Sequence, residues 1–322
     1  FDISIGLPKG YKPSDDKSNG VALPIGLKLD SEKYEIFANG NFLILGNMDT
    51  IDGRHKWVYT HTEIDKFCLG GSFPGVKSIK GCLDFYKGGE KGVPEIWGQG
   101  FQASVSVKFE KFLDEIDAVA MFGKVNGYNY FFVDASVSLQ KNIPLRALNL
   151  SGFCGGVSNH MSSNFDVNSM NFEGSVVNLP IGHSASGIVY LPNKEWGLGL
   201  RAGATFVLAV SPKLTNGSVI IKMDFNSNGG FKEFTLKGTA KFMEIPGILL
   251  PFLDKIGQRP PGDAIMSANV YLNVNPDGLY GHFECFLKTP GDFLIGSGDG
   301  YKLVDAVAKF NKNEWYIWMG QP

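Results

Sequence analysis

A surplus of one charge is what this sequence lacks most plainly. Across 322 residues, 30 Lys and Arg stand against 32 Asp and Glu, a net charge of −2. That balance gives nothing to attract a nucleic-acid backbone, so nucleic acid is excluded as a partner. Long hydrophobic runs are also missing. No apolar stretch approaches the ~20 residues of a membrane-crossing helix, so no transmembrane helix is expected. The four cysteines (Cys68, Cys82, Cys154, Cys285) show no CxxC spacing, which argues against a zinc knuckle. The five histidines (His55, His61, His160, His183, His282) form neither HExxH nor an i, i+2 pair within one strand. The glycine-rich run 296–300 has no following GK[ST], so it is no phosphate cradle. Gly182-His183-Ser184-Ala185-Ser186-Gly187 approaches the GxSxG nucleophile elbow, but Ser186 occupies the closing glycine position and no helix pattern follows. The chain opens on Phe1 with no basic-then-apolar leader, so it is expected to be a mature product or a piece of something longer.

What the sequence does have is 25 Phe, 41 Gly and a repeated alternation of apolar with polar residues. The stretch 198–244 shows it best. Val219, Ile221, Met223 and Phe225 fall on one side of a period-two pattern. Phe234, Leu236, Gly238, Ala240 and Phe242 fall on one side of the next, opposite Glu233, Thr235, Lys237, Thr239 and Lys241. A period of two puts alternate side chains on opposite faces of a sheet. Asn216-Gly217 and Asn228-Gly229-Gly230 read as hairpin turns. The same alternation runs through 21–29, 34–45, 101–109, 118–125, 128–139, 266–274 and 279–287. In 128–139 both sides carry bulk, which predicts a strand covered on both faces. Stretch 162–174 is polar and Asn-rich and reads as an exposed loop; 179–190 reads as a loop or a short strand. Residues 247–256 carry apolar positions at helical spacing but contain Pro251, so about two turns are expected.

The expected fold is therefore all-β: large antiparallel meander sheets, as a sandwich or an extended sheet, with one short helix. The expected organisation is a linker or irregular edge over 1–20, a β-rich region over 21–195 with a meander at 101–139, and a second β meander region over 196–322. An amphipathic sheet needs a cover for its apolar face, either from the rest of a parent chain or from a protein partner.

Candidate chemistry is thin. Asp224, Asn226 and Asn228 match the first half of an EF-type calcium loop. The twelfth position is Thr235 rather than Glu and no helices flank it, and a hairpin tip accounts for the same residues. Calcium is thus the one metal the sequence offers a place for, and no cofactor is expected. No catalytic residue is identified. The carboxylates are scattered, and a glycosidase needs two of them facing each other ~5–10 Å apart. The five Trp (57, 97, 196, 315, 318) read as core or interface anchors, or as platforms for a glycan. The cysteines read as buried thiols, with a Cys68–Cys82 bridge across a hairpin as the alternative in an oxidising compartment.

Several stretches in succession resemble the large β-rich secreted or surface proteins of Bacteroidota that carry TANFOR repeats. They are Phe73-Pro74-Gly75 with Ile79-Lys80-Gly81-Cys82-Leu83-Asp84-Phe85-Tyr86, then Trp97-Gly98-Gln99-Gly100-Phe101, then Met121-Phe122-Gly123 and Tyr130-Phe131-Phe132-Val133-Asp134-Ala135. Gly152-Phe153-Cys154-Gly155-Gly156, His160-Met161, Gly238-Thr239-Ala240-Lys241-Phe242-Met243 and Trp315-Tyr316-Ile317-Trp318-Met319-Gly320-Gln321-Pro322 complete the series. The resemblance covers about residues 70–322 and departs at Cys154, where glycine is expected. It implies a secreted, cell-surface or outer-membrane-associated location and long sheets built from successive hairpins, and it carries no catalytic residues. Three functional readings follow: a non-enzymatic structural or interaction module of a cell-envelope assembly; a carbohydrate-binding or carbohydrate-cleaving β-sandwich; and an outer-membrane β-barrel, whose lumen would receive Glu233, Lys237 and Lys241.

Overall fold

The computed structural model describes residues 18–30, 35–89, 92–111, 113–145, 148–164, 176, 179–209, 215–245, 249–255, 263–289, 294–297 and 299–320. The strands are β1 (Ser18–Asp30), β2 (Glu35–Ile51), β3 (Arg54–Phe73), β4 (Val76–Lys87), β5 (Gln99–Phe109), β6 (Leu113–Val125), β7 (Tyr128–Leu145), β8 (Leu148–Asn159), β9 (Met161–Asn164), β10 (Val189–Pro192), β11 (Trp196–Leu208), β12 (Thr215–Asn226), β13 (Phe231–Glu244), β14 (Ala264–Asn275), β15 (Gly278–Leu287), β16 (Lys302–Asn311) and β17 (Trp315–Met319). Fifteen of them make one sheet in the order β1 to β8 and then β11 to β17, while β9 and β10 pair with each other. Neighbours are antiparallel throughout, so the expected all-β meander fold is observed. Among the described residues, β1 and β17 form the two edges. One short helix, α1 (Leu250–Lys255), lies inside the 247–256 stretch where it was expected. The 1–20 linker and the 162–174 loop fall largely outside the described residues.

Turn chemistry explains the tight joints. Asp52-Gly53 and Asn126-Gly127 each place two consecutive residues at positive φ (55° and 71°, 46° and 83°). That pair of angles matches the right-handed twist of the flanking strands. Asn216-Gly217 does not turn. It lies within β12, opposite Val207 and Phe206. A Cβ at Gly217 would collide with the Phe206 ring and with Thr239 O. The glycine is there so that an aromatic can lie across the strand, not for its backbone freedom.

Sidedness is the main feature of the sheet. On β5, Gln102, Ser104 and Ser106 are buried, while Phe101, Ala103, Val105 and Val107 point the other way. Val105 is 40% exposed and Ser104 only 4%. Register carries this arrangement across the sheet. Ala103 pairs with Ala120, which pairs with Val133, so the apolar positions stay in one row. Further along, Lys222 lies opposite Thr235 and Thr235 opposite Asn273 on the polar side, next to Ile221, Leu236 and Leu272 on the apolar side. The inner, covered face is therefore mixed, with Met121 opposite Gln102 and Val119 opposite Ser104, and the outer face is apolar. On β7 the expectation of cover on both faces is corrected: Phe132 and Asp134 are buried, but Val133 between them is 37% exposed.

Candidate functional site: the inner face and its folded-in segment

Between β8 and β11, Val176 and residues 179–192 pack onto the inner side of the sheet. Residues 179–192 form a small uncharged knot. Ser184 N–H donates to Ile188 O, Tyr190 N–H to Gly182 O, and Ile188 N–H to Ser184 Oγ at 3.0 Å. Gly182 sits at φ +82°, and a Cβ there would overlap the Trp97 ring and Tyr190 O. Ala185, Ile188 and Tyr190 join Met121, Tyr130, Phe132 and Trp97 in the larger hydrophobic cluster of the molecule. The Tyr190 ring stacks on Phe132 at 4.3 Å between centroids and 6° between planes.

Three wall residues tether this segment. Gln102 on β5 accepts Gly182 N–H at 3.0 Å and donates to Leu179 O at 3.2 Å. Ser136 on β7 donates to Ala185 O at 3.2 Å. Asp134, fully buried, accepts both Ser186 N–H and Ser186 Oγ–H at 2.8 Å. A buried carboxylate is tolerated only when such donors surround it. Small residues make room for the large ones. Cβ atoms at Gly100 and Gly123 would collide with the Tyr86 hydroxyl, which hydrogen-bonds Tyr130 at 2.8 Å.

Beside the knot runs a charged strip on the same inner face. The Arg201 guanidinium lies 4.8 Å from the Tyr190 ring centre and donates to Ser158 Oγ at 2.9 Å and Ser163 Oγ at 2.7 Å. It also pairs with Asp224 at 3.3 Å. Lys222 bridges Asp224 at 2.9 Å and Glu233 at 2.6 Å, with its ammonium 4.8 Å from the Trp196 ring centre. Removing one member would leave the others buried and uncompensated. A second polar group lies near the β17 edge. His282, Glu284 and Asp305 bring one ligand atom each within 4.8 Å of one another. Lys302 Nζ already serves Glu284 at 2.7 Å and Asp305 at 2.6 Å, so an ammonium supplies the cation those carboxylates need.

The sequence candidates distribute as follows. Asp224 is held by Arg201 and Lys222, Asn226 donates to Phe231 O at 3.4 Å, and Asn228 sits in the exposed turn. Glu233 faces inward as part of the charged strip. Ser184 and Ser186 stand 3.2 Å apart inside the knot, with Asp134 rather than histidine as the partner of Ser186. Cys68 and Cys82 are joined in a disulfide between β3 and β4, and Cys154 and Cys285 are buried free thiols. Trp97 is core, Trp196 lies under Lys222 and Lys232, and the exposed Trp57 and Trp315 lie on β3 and β17. The knot itself was missed at the level of sequence. A signal was there: residues 176–193 contain no Lys, Arg, Asp or Glu.

The outer face has its own order. Phe85, Phe101, Phe122 and Phe131 stand side by side on β4 to β7, in one register row. Their centroids are 6.3, 5.3 and 5.8 Å apart in succession. Phe109, Phe206 and Phe242 mark the opposite ends of β5, β11 and β13.

No family model matches the chain, and no curated protein matches it. Among solved structures, a mutant of the Rh. blastica porin is similar over 94% of this chain and 88% of that one, at 7% identity and a TM-score of 0.30. Similarity at that level does not show a shared fold.

Proposed function

We propose that this chain is a non-enzymatic wall of outer-membrane type, embedded in a lipid bilayer of the cell envelope through its apolar face. The observation that carries this reading is the uncovered apolar row: Val105, Phe122, Val133, Leu200 and Ile221 are exposed, while the covered face mixes Val119, Met121 and Phe132 with Gln102, Asp134, Arg201, Lys222 and Asp224. Contiguous apolar surface on this scale marks a partner or a membrane. Dimensions support a bilayer. From Phe101 to Phe109 the chain advances about 27 Å along β5. At the usual strand tilt that is roughly 20 Å of height, near the ~25 Å apolar band that aromatic rows flank in outer-membrane barrels. A disulfide at Cys68–Cys82 suits an oxidising compartment outside the cytosol. The inner face would then line a conduit, with the knot at 179–192 narrowing it and the buried charged strip of Arg201, Lys222 and Asp224 set into its wall.

The test places one arginine in the middle of the outer face. In phosphatidylcholine vesicles, Val105→Arg should lower unfolding stability in urea by about 2–4 kcal/mol. The same substitution at a water-exposed site changes stability by no more than about 0.5 kcal/mol. A detergent-free monomer that ignores vesicles and tolerates Val105→Arg would overturn the proposal and return the apolar face to a protein partner.

A further inference from the structure

Among the described residues, three aspartates are buried on the inner face: Asp117, Asp134 and Asp224. Asp134 accepts two bonds from Ser186, and Asp224 pairs with Arg201 and Lys222. Asp117, on β6, is only 3% exposed, and its Oδ1 has no hydrogen-bond partner. Ser104, on β5, is 4% exposed, and its Oγ has no partner either. The two lie on one face of neighbouring strands. Ser106 is directly opposite Asp117, and Ser104 is the next inner-face residue along β5. The other groups beside them offer oxygen. Ser106 Oγ donates to Glu115 Oε1 at 2.5 Å, and Ser136, opposite Asp117 on β7, donates to Ala185 O. Each of these hydroxyls has its hydrogen engaged and keeps lone pairs. Lys108 pairs with Glu115 Oε2 at 3.2 Å and is half-exposed; no ion pair reaches Asp117 among the described residues. A buried charge needs a counter-charge or a metal. Without one the carboxyl holds its proton: burial, and then Glu115 beside it, pushes its pKa up to about 6.

We propose that Asp117, Glu115, Ser104 and Ser106 bind one calcium ion on the inner wall, beside the Ser136 tether of the knot. Opposed Cβ atoms in such a sheet lie roughly 5 Å apart and diagonal ones roughly 7 Å. Side-chain oxygens from those positions reach a common ion at ~2.4 Å. Every donor is an oxygen, which suits a hard cation rather than zinc or copper. Two carboxylates match its double charge, and its flexible shell of about six to eight oxygens is completed by water. A water molecule alone, between Asp117 and Ser104, would satisfy their hydrogen bonds but leave the charge unbalanced. The site is distinct from the hairpin tip at Asn226 and Asn228, and it does not depend on what the outer face meets.

The experiment takes the full chain, refolded in mild detergent and stripped with EDTA, and titrates it with calcium chloride in a calorimeter at neutral pH. One ion per chain should bind, with a Kd of about 0.1–1 mM, the range of extracellular calcium modules. D117N keeps the shape, removes the charge and should weaken binding at least about tenfold. S104A removes a ligand but no charge and should weaken it about threefold; it decides the matter by itself if D117N does not fold. N228A, at the hairpin tip, and D114N, an exposed carboxylate on β6, should bind as the unmodified chain does. No binding at millimolar calcium, or binding that D117N and S104A leave unchanged, overturns the site and gives Asp117 a proton and Ser104 a water instead. Binding lost in N228A and kept in D117N overturns it in favour of the hairpin tip.

Discussion

Asp134→Ala should detach the 179–192 knot from the wall without disturbing the wall. The carboxylate accepts two bonds from Ser186, both at 2.8 Å. Hydrogen bonds to a buried charge contribute about 1.5–3 kcal/mol each. Relief of the buried carboxylate offsets part of that, since desolvating an ion costs several kcal/mol. A net loss of about 3 kcal/mol remains, because Ser186 N–H is left in the core without a partner. Amide hydrogen exchange reads this directly. Ser186, Ile188 and Tyr190 owe their protection to Asp134, Ser184 Oγ and Gly182 O respectively. All three should exchange about a hundredfold faster in the variant. The β6–β7 amides around Val133 should not change, because that ladder is independent of the knot. Asp134→Asn keeps an oxygen for Ser186 N–H and offers an amide to Ser186 Oγ, so it should cost about 1 kcal/mol. Equal exchange in wild type and Asp134→Ala would refute the tether.

Two further outcomes follow from the same geometry. Gly182→Ala would have to hold φ +82° and push against both the Trp97 ring and Tyr190 O; it should lower stability by about 3 kcal/mol or more, seen as an earlier urea midpoint with early loss of the buried Trp97 emission. Reducing Cys68–Cys82 opens a loop of 14 positions, worth about 3 kcal/mol on the chain-entropy account; urea titrations with and without reductant should differ by that amount, with exchange quickening first in β3 and β4.

The strands were legible because a sheet with unlike faces writes a period of two into the chain, as in Phe234 to Phe242. The positive-φ pairs at Asp52-Gly53 and Asn126-Gly127 are local features of a different kind: few other residues accept those angles. Which face turns inward was not legible, because alternation looks identical whether the apolar side meets a core or a lipid. Asn216-Gly217 misled because glycine serves two purposes, and here the ring of Phe206 decided which. The pairing of Asp134 with Ser186 spans 52 positions and leaves no local trace. The grouping of His282, Asp305 and Lys302 is likewise made by register between β15 and β16.

The order of the sheet also governs how the chain can find it. Fourteen neighbour pairs join fifteen strands, and thirteen of those pairs are consecutive in the chain. Hairpins can therefore close one onto the next, as when Val125 meets Tyr128 three positions away. The exception is β8 with β11, where Asn159 meets Leu198 across 39 positions. Closing that longer loop costs about 2 kcal/mol more in chain entropy. The knot lies inside the same loop, so its contacts with Phe132, Gln102 and Asp134 shorten the search before β11 arrives. Its docking would then set the rate at which the two halves of the meander join, and substitutions at Asp134 should slow folding more than they speed unfolding.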